Sequence, residues 1–199
     1  MWGRGLPRPS RKSQIMDAAL ACYAEQGYAA TRLTTIAARA AVSEAAIYRH
    51  FSSIEELGAE LYVQYFTLYA TRLAEAIGTP GSALDRLRFV VRVSLALYRE
   101  HPDAFLFGLE VLPAFIRRLP VGFDFPLEQL ERVIRDGQSE GSVRAGQTNI
   151  LAAMFLGALL RPIGLTRLAA PGALDLRADT SNDTLIEEAA LALLRAPAR

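Results

Sequence analysis

The sequence predicts an all-α protein in which a small N-terminal three-helix unit precedes a larger helical body. Apolar residues recur every three or four positions along most of the 199 residues, and no stretch alternates apolar and polar residues as a half-buried strand does. Proline, glycine and serine separate these stretches and so mark the ends of the predicted helices. We place a domain boundary after residue 52, and call residues 1–52 the head and residues 53–199 the body.

The same division separates charge. The head holds seven basic and three acidic residues, whereas the 147 residues of the body hold 15 basic and 18 acidic ones. The net charge of +1 for the whole chain hides this difference. A basic head on a mildly acidic body indicates that a polyanionic partner would bind to the head.

Composition narrows the class of protein. With 51% hydrophobic residues the chain can bury a full core. The apolar run from Ile150 to Leu160 is well short of the roughly 20 residues that cross a bilayer, so we expect a core or interface helix and no membrane partner. Asp17 and Glu25 interrupt the apolar stretch near the N-terminus, which argues against a secretory signal and favours a cytoplasmic location. The single Cys22 is expected to pack as a small apolar group, with redox sensing as the alternative.

Helix signals follow one another along the chain. The first predicted helix runs from about Arg11 to Gln26 with Gly27 after it, and two short helices complete the head. A longer helix from about Ser53 to Ile77 bridges head and body. The next predicted helices run from about Ser82 to Glu100, from Phe105 to Leu119 and from Pro126 to Glu140, and the second of these is expected to be irregular at Pro113 and Pro120. A further helix begins with a cap at Thr148, and Pro162 and Gly164 are expected to kink or shorten it. The last predicted helix runs from Asp183 to Arg195 after a loop at about 170–182.

The two short helices of the head have one inward and one outward face. Ile36 and Ala37 lie on one turn, and Ile47 and Phe51 are four residues apart, so these side chains can point inward together. Ser43 stands where the second short helix needs an N-cap. Two helices joined by a turn of three or four residues are the helix-turn-helix form, whose second helix enters the major groove of DNA.

The outward face carries the candidate DNA contacts. Tyr48, Arg49 and His50 place a phenol, a guanidinium and an imidazole side by side, and these groups are suited to phosphate oxygens. The first residues of the reading helix lie nearest the bases, where Glu44 can accept from cytosine N4 and alanine methyl groups can touch thymine. The predicted DNA-binding residues are Thr34, Ser43, Glu44, Ala45, Ala46, Tyr48, Arg49 and His50.

Structural roles stay open for the same residues. Ser43 can serve only as a cap, and Glu44 only as a partner of the helix dipole. Tyr48 can cover the apolar interior of the head, and Arg49 can pair with Glu25.

In these residues the chain resembles the TetR family of bacterial transcriptional regulators. The matching positions are Ile15, Ala18-Ala19, Tyr23, Gly27-Tyr28, Thr31, Ile36-Ala37, Val42-Ser43, Ile47-Tyr48, His50-Phe51 and Leu57. Beyond Leu57 the chain resembles the family in being helical and in the segment Gln138-Ser139-Glu140-Gly141. The resemblance implies a DNA-binding head and a helical body that holds an inducer among its central helices. It does not imply which ligand binds.

The chain departs from the family pattern at three places. Ala41 replaces the usual turn glycine, Glu44-Ala45 replaces a lysine-glycine pair, and Ile54 replaces a lysine that would contact phosphate. A left-handed backbone at Ala41 would cost roughly 1 to 2 kcal/mol. A basic arm at residues 1–12 can supply other phosphate contacts, or it can be a disordered tail. Its charged residues are Arg4, Arg8, Arg11 and Lys12.

The last two predicted helices suggest self-association. One carries small residues and the other carries apolar residues every four positions, so two copies could pack as a four-helix bundle. The residues are Ala152, Ala153, Gly157 and Ala158 on the first helix, and Leu185, Ala189 and Leu193 on the second. A homodimer through these helices would present two reading heads to a palindromic operator in double-stranded DNA. The alternative is that both helices only complete the core of a monomer.

The body is rich in aromatic residues that could line a ligand pocket. Pockets are mostly apolar with a few placed polar groups. The candidate effector-binding residues are Phe66, Tyr69, Phe89, Ser94, Tyr98, Phe105 and Phe155. Arg88, Arg92 and Arg161 could orient a small molecule, or they could lie on solvated faces or in ion pairs.

These observations predict a ligand-responsive, sequence-specific DNA-binding transcriptional regulator, acting as a homodimeric repressor that a small hydrophobic effector releases from its operator. The alternative is a helical small-molecule-binding or interaction protein with a weakened DNA-binding head. We expect no catalytic residues, because the two histidines, His50 and His101, have no nucleophile at a suitable spacing. One cysteine and two distant histidines also favour no metal site, and no cofactor is expected.

Overall fold

The computed structural model describes residues 10–166 and 174–197, the side chain of Leu112 excepted. Within these ranges the chain forms α-helices and no β-strand, which confirms the all-α prediction. The helices are α1 Arg11–Gln26, α2 Leu33–Arg39, α3 Glu44–Tyr48, α4 Ile54–Ile77, α5 Ala83–Glu100, α6 Pro102–Phe115, α7 Pro126–Glu140, α8 Thr148–Leu165 and α9 Asp183–Ala192, with a short 3₁₀ helix at Ile116–Arg118 after α6.

Serine side chains begin several of these helices. Ser10, Ser43, Ser53 and Ser82 each accept a hydrogen bond from the backbone N–H three residues further on, at 3.0 to 3.2 Å. Each such cap satisfies an N–H group that the helix leaves without a partner and contributes about 1 kcal/mol. These caps explain why the predicted starts of α1, α3, α4 and α5 agree with the structure.

Two prolines lie inside helices. Pro113 is within α6, and the irregularity predicted for this stretch comes after Phe115, at the 3₁₀ helix. Pro162 is within α8, which ends at Leu165, one residue after Gly164. A proline removes one helical hydrogen bond, and both of these prolines stand within the last four residues of their helix. The flanking turns of each helix are packed against neighbouring helices, which keeps them helical.

The cap of α8 and the end of α9 also differ from expectation. Gln147 occupies the cap position of α8, and the Thr148 hydroxyl donates to the Glu131 carboxylate at 3.3 Å. Helix α9 ends at Ala192 because the chain then pairs with the loop between α7 and α8, where the Arg144 N–H donates to the Leu194 carbonyl at 2.8 Å. The first residues of the predicted loop at 170–182 lie outside the described part of the chain.

Two apolar clusters make up the core. The head cluster unites buried residues of α1, α2 and α3 with the first half of α4 and the inner face of α6, and it includes the buried Cys22. The body cluster joins α5, α7, α8 and α9 with the second half of α4. The head is therefore packed continuously onto α4 and α6, and the domain boundary at residue 52 stays a prediction.

The turn between α2 and α3 has the left-handed residue expected at Ala41, where φ is 52°. The Val42 N–H donates to the Ala37 carbonyl at 3.0 Å and the Ala41 N–H to the Ala38 carbonyl at 3.2 Å. This is a Schellman motif, in which glycine is the preferred residue at the left-handed position. A side chain at Ala41 therefore strains the turn that sets the angle between the two helices.

We expect Ala41→Gly to raise the free energy of unfolding by about 0.5 to 1 kcal/mol, because the strain it removes exceeds the entropy that glycine adds to the unfolded chain. Urea denaturation would measure the change. Ala38→Gly, at an exposed position in the last turn of α2, is the matched control and should lower stability by up to about 1 kcal/mol. Equal destabilisation by both variants would contradict the strain at Ala41.

Candidate nucleic-acid interface and ligand cavity

The third helix is short and is held by its inward side chains. Ile47 and Phe51 are fully buried in the head cluster, and the N–H of Phe51 donates to the Ile47 carbonyl at 3.0 Å. The Ser43 hydroxyl accepts from the Ala46 N–H at 3.2 Å, so the predicted cap is present. A five-residue helix has little stability of its own, so packing fixes its direction.

The outward face of α3 is open to solvent. Tyr48 is 55% exposed, and Arg49 and His50 are exposed beside it. Ser43, Glu44 and Ala45 at the start of the helix are exposed as well, as is Thr34 on the first turn of α2. Seven of the eight predicted contact residues are thus accessible to a partner.

Ala46 is the exception. It is only 5% exposed because it lies on the buried side of α3 beside Ile47. A methyl group in that position packs within the head and is not presented to a thymine. The burial of Ala46 argues against the predicted base contact at this residue, whereas the base contacts of Glu44 and Ala45 stay predictions.

The charges around α3 leave Arg49 available. Glu25, the suggested partner of Arg49, instead pairs with Arg39 at 2.6 Å, and this hydrogen bond lowers the pKa of Glu25. Among the described residues Arg49 has no ion pair closer than 4.0 Å. Its guanidinium is free to meet an anionic partner.

Part of the predicted basic arm has a structural role. Arg11 and Lys12 belong to α1, and the Lys12 ammonium pairs with Glu60 at 2.6 Å while lying 5.2 Å from the centre of the Phe51 ring. This ion pair links α1 to α4, so the Lys12 ammonium is not free to donate hydrogen bonds to a DNA phosphate. Arg4 and Arg8 lie outside the described residues.

Helix α6 connects the head to the interior of the body. On its inner face the Phe107 ring stacks on Tyr23 of α1 with centroids 4.9 Å apart and an angle of 12° between the planes. The Glu110 carboxylate accepts from the Tyr28 backbone N–H at 3.2 Å. Gly58 of α4 allows this close packing, because a Cβ there would lie 2.8 Å from the Tyr28 ring.

The opposite face of α6 borders a cavity of about 620 Å³ between α4, α5, α6, α7 and α8. That volume lies within the range of small-molecule sites. The lining residues are Tyr65, Phe66, Leu68, Tyr69, Leu97, His101, Ala104, Phe105, Gly108, Leu109, Ile116, Pro126, Leu127, Ala153, Leu156, Gly157, Leu160, Arg161 and Gly164. The cavity is apolar apart from a few groups.

Three of the seven predicted effector residues line this cavity: Phe66, Tyr69 and Phe105. The Tyr69 hydroxyl lies 3.2 Å from the Ser94 hydroxyl, which itself donates to the Val90 carbonyl at 2.8 Å. Tyr69 is therefore the donor to Ser94, and burial raises the pKa of Tyr69 to about 12. The cavity is therefore bordered by a neutral tyrosine.

The other four predicted effector residues do not line the cavity. Ser94 contacts the hydroxyl of Tyr69, and the Tyr98 ring packs against Phe105. The Tyr98 hydroxyl lies 3.1 Å from the Thr166 hydroxyl. Phe155 is fully buried in the body cluster, and Phe89 is 38% exposed on the surface of α5. Helical spacing placed these side chains in the body, but only tertiary packing decides which of them border an empty volume.

The three arginines considered for the pocket have different roles. Arg88 and Arg92 both pair with Glu187 of α9 at 2.9 Å, and Arg88 also pairs with Asp85. They link α5 to α9 on the surface. Arg161 alone lines the cavity.

Sequence reasoning missed several lining positions, above all Gly108, Gly157 and Gly164. A Cβ added at Gly108 or Gly157 would meet no atom of a neighbouring element within 4 Å, so both glycines border empty space. A glycine inside an apolar helix is costly, and three of them in two helices could have indicated a cavity.

An apolar face of α8 and α9 is left uncovered. Leu185 of α9 is 64% exposed, and Ile150, Met154 and Leu165 of α8 are exposed as well. Of the predicted dimer residues Ala153, Gly157 and Ala189 are exposed, whereas Ala152 is buried within the protomer and Ala158 and Leu193 are half-buried. By length and composition α8 is also the one described helix that could cross a bilayer.

The chain is similar in sequence to a family of bacterial regulatory proteins. Residues 15–61 match the profile of the bacterial regulatory proteins, tetR family. The nucleoid occlusion factor SlmA of Vibrio campbellii is 32% identical over 165 residues, which cover 77% of this chain and 82% of that protein. The fatty acid metabolism regulator protein of Bacillus subtilis is 26% identical, and the aligned residues cover 67% of this chain and 71% of that protein.

A solved structure agrees with the fold. The fatty acid degradation regulator FadR from Bacillus halodurans superposes with a TM-score of 0.71 at 20% identity, over 94% of this chain and 97% of that one. With an open helix-turn-helix face in its head and an apolar cavity in its body, this chain belongs to the TetR family of bacterial regulatory proteins and is a ligand-responsive, DNA-binding transcriptional regulator.

Proposed function

We propose that the protein is a cytoplasmic, non-enzymatic homodimeric repressor that leaves a palindromic operator when a small hydrophobic molecule fills the cavity beside α6. The observation that carries this proposal is the position of α6, which packs against the head on one face and borders the cavity on the other. The relative from Bacillus subtilis is named a fatty acid metabolism regulator, which supports an apolar effector.

The DNA contacts divide into two groups in this proposal. Thr34, Ser43, Tyr48, Arg49 and His50 bind phosphate oxygens and position the head on the duplex, whereas Glu44 and Ala45 read bases. The exposure of these side chains supports their roles. Ile54 replaces a lysine, so fewer cations of the protein contact the phosphate backbone of DNA. The affinity for DNA should therefore depend less steeply on salt concentration than in relatives that have the lysine.

Coupling between cavity and head passes through α6. Phe105, Gly108 and Leu109 face the cavity, while Phe107 and Glu110 hold the head at Tyr23 and Tyr28. An effector that binds more tightly to one placement of α6 shifts the protein toward it, and the head moves with α6. A dimer whose two heads are wrongly spaced no longer fits the two half-sites.

The second copy covers the exposed apolar face of α8 and α9. Leu185, Met154 and Ile150 would be removed from water on dimerisation, and the small residues Ala153, Gly157 and Ala189 let helices approach closely. A protein partner of this kind also accounts for the apolar composition of α8 without a membrane.

A second candidate function comes from the relative with 32% identity, which is named a nucleoid occlusion factor. In that case the protein would bind chromosomal DNA at many sites instead of a few promoters. Selection of bound duplexes from random DNA, followed by mapping of occupied sites on the chromosome, separates the two. Sites confined to upstream regions support the repressor, and sites spread through coding regions support the second candidate.

Substitutions on α3 test the division of DNA contacts. Tyr48→Phe combined with His50→Ala should weaken binding to every duplex alike, and Arg49→Gln should also reduce the slope of log affinity against log salt by about 0.9. Glu44→Gln should change which sequence is preferred. Fluorescence anisotropy at several salt concentrations measures both effects. Arg135→Gln on α7 is the control, and a change of sequence preference in Arg49→Gln would refute the assignment.

Filling the cavity tests the effector site. Gly108→Leu should abolish binding of the neutral dye N-phenyl-1-naphthylamine, because its side chain projects into the empty volume. Gly108→Ala is the matched control and should keep most of the dye binding, while both variants gain helix propensity. Dye fluorescence in the absence of DNA measures this. Undiminished dye binding by a folded Gly108→Leu variant would place the site elsewhere.

Substitution of the uncovered face tests the dimer. Leu185→Glu should convert a dimer to a monomer at micromolar concentration and weaken operator binding, because a carboxylate would be buried without a partner. Val121→Glu is the control, since Val121 is fully exposed in the loop between α6 and α7. Sedimentation velocity measures the mass. A wild-type protein that sediments as a monomer would overturn this part of the proposal.

A further inference from the structure

Among the described residues that line the cavity, Arg161 is the one with a permanently charged side chain. Arg161 of α8 lines it, and His101 at the junction of α5 and α6 lines it beside Tyr65, with ring centroids 5.7 Å apart. None of the 21 aspartate and glutamate residues of the chain is among the lining residues, and all 21 lie in the described part of the structure. Glu100 is 3.5 Å from His101 but does not border the cavity.

Arg161 has no counterion among the residues that the structure describes. Within residues 10–166 and 174–197 its guanidinium makes no ion pair, whereas Arg86, Arg88, Arg92, Arg99 and Arg132 of the body all do. The undescribed residues contain no aspartate or glutamate side chain that could serve instead. Arg161 is exposed, as are Ala153 and Gly157, which border the cavity from the same helix, so the cavity meets solvent along this side of α8. The cation therefore stands at the open end of an apolar volume.

We infer that the effector is an amphipathic anion: an apolar chain that fills the cavity and a carboxylate or phosphate head group that pairs with Arg161. An apolar chain gains by leaving water, and a guanidinium binds carboxylate or phosphate oxygens with two parallel hydrogen bonds. A cationic head group would be repelled at the same place. This inference rests on the proposed effector cavity and specifies the chemistry of its ligand.

Displacement of N-phenyl-1-naphthylamine from the full-length protein, without DNA, tests the inference. Four ligands share a twelve-carbon chain and differ in head group: dodecanoate, dodecyl phosphate, dodecanol and dodecylamine, each used below its micelle concentration. We expect at least one of the two anions to displace the dye at about tenfold lower concentration than dodecanol, and dodecylamine to be weaker than dodecanol. The stronger anion identifies which head group the site accepts.

Two variants separate Arg161 from a general charge effect. Arg161→Gln and Arg161→Glu should each weaken binding of the preferred anion about tenfold and leave dodecanol unchanged, and Arg161→Glu should improve binding of dodecylamine. Arg135→Glu, an exposed arginine of α7 outside the cavity, should change none of these values. Sedimentation of each variant shows whether the oligomeric state is preserved.

The outcomes distinguish this inference from the proposed function. If dodecanol displaces the dye as well as both anions do, or if Arg161→Gln leaves anion binding unchanged, the anionic ligand is refuted while a hydrophobic effector stands. If the dye itself fails to bind the wild-type protein, the cavity is not an effector site and both proposals fall.

Discussion

The packing of α6 between the head and the cavity is the constraint on which the rest of the structure depends. Its inner face stacks Phe107 on Tyr23 and accepts the Tyr28 N–H at Glu110, while its outer face borders about 620 Å³ of empty volume. Packed interiors move between discrete arrangements and do not deform continuously. In the proposed mechanism, a ligand that shifts this helix from the cavity side would move the head with it.

The head relies on the body for its stability. Helices α2 and α3 are too short to persist alone, and their buried residues belong to a cluster that also contains Leu57, Leu61 and Phe107. The strained turn at Ala41 lowers the stability of the head. The Lys12–Glu60 ion pair and the caps at Ser43 and Ser53 offset part of this loss. The orientation of Tyr48, Arg49 and His50 is thus a property of the whole N-terminal half of the molecule.

Two arginines without a counterion among the described residues, Arg49 and Arg161, lie in different surroundings. Arg49, which follows α3, is exposed on the surface of the head, whereas Arg161 lies where an apolar cavity meets solvent. The exposed apolar face of α8 adjoins this opening, since Ala153 and Gly157 line the cavity and are exposed. A second copy packed there would adjoin the ligand, which would couple occupancy of the cavity to the dimer.

The sequence by itself determined the all-α class, the bounds of α1 and α7, the cap at Ser43, the left-handed turn at Ala41 and the open face of α3. All of these follow from interactions between residues that are close in the chain, such as a cap with the third residue of its helix, or the period of an amphipathic face. Tertiary structure alone decided that Ala46 is buried, that Pro113 and Pro162 stay within their helices, and that Phe66, Tyr69 and Phe105 border the cavity while Phe89, Ser94, Tyr98 and Phe155 do not. An empty volume arises where several helices fail to fill the space between them, and no single segment of sequence contains that information.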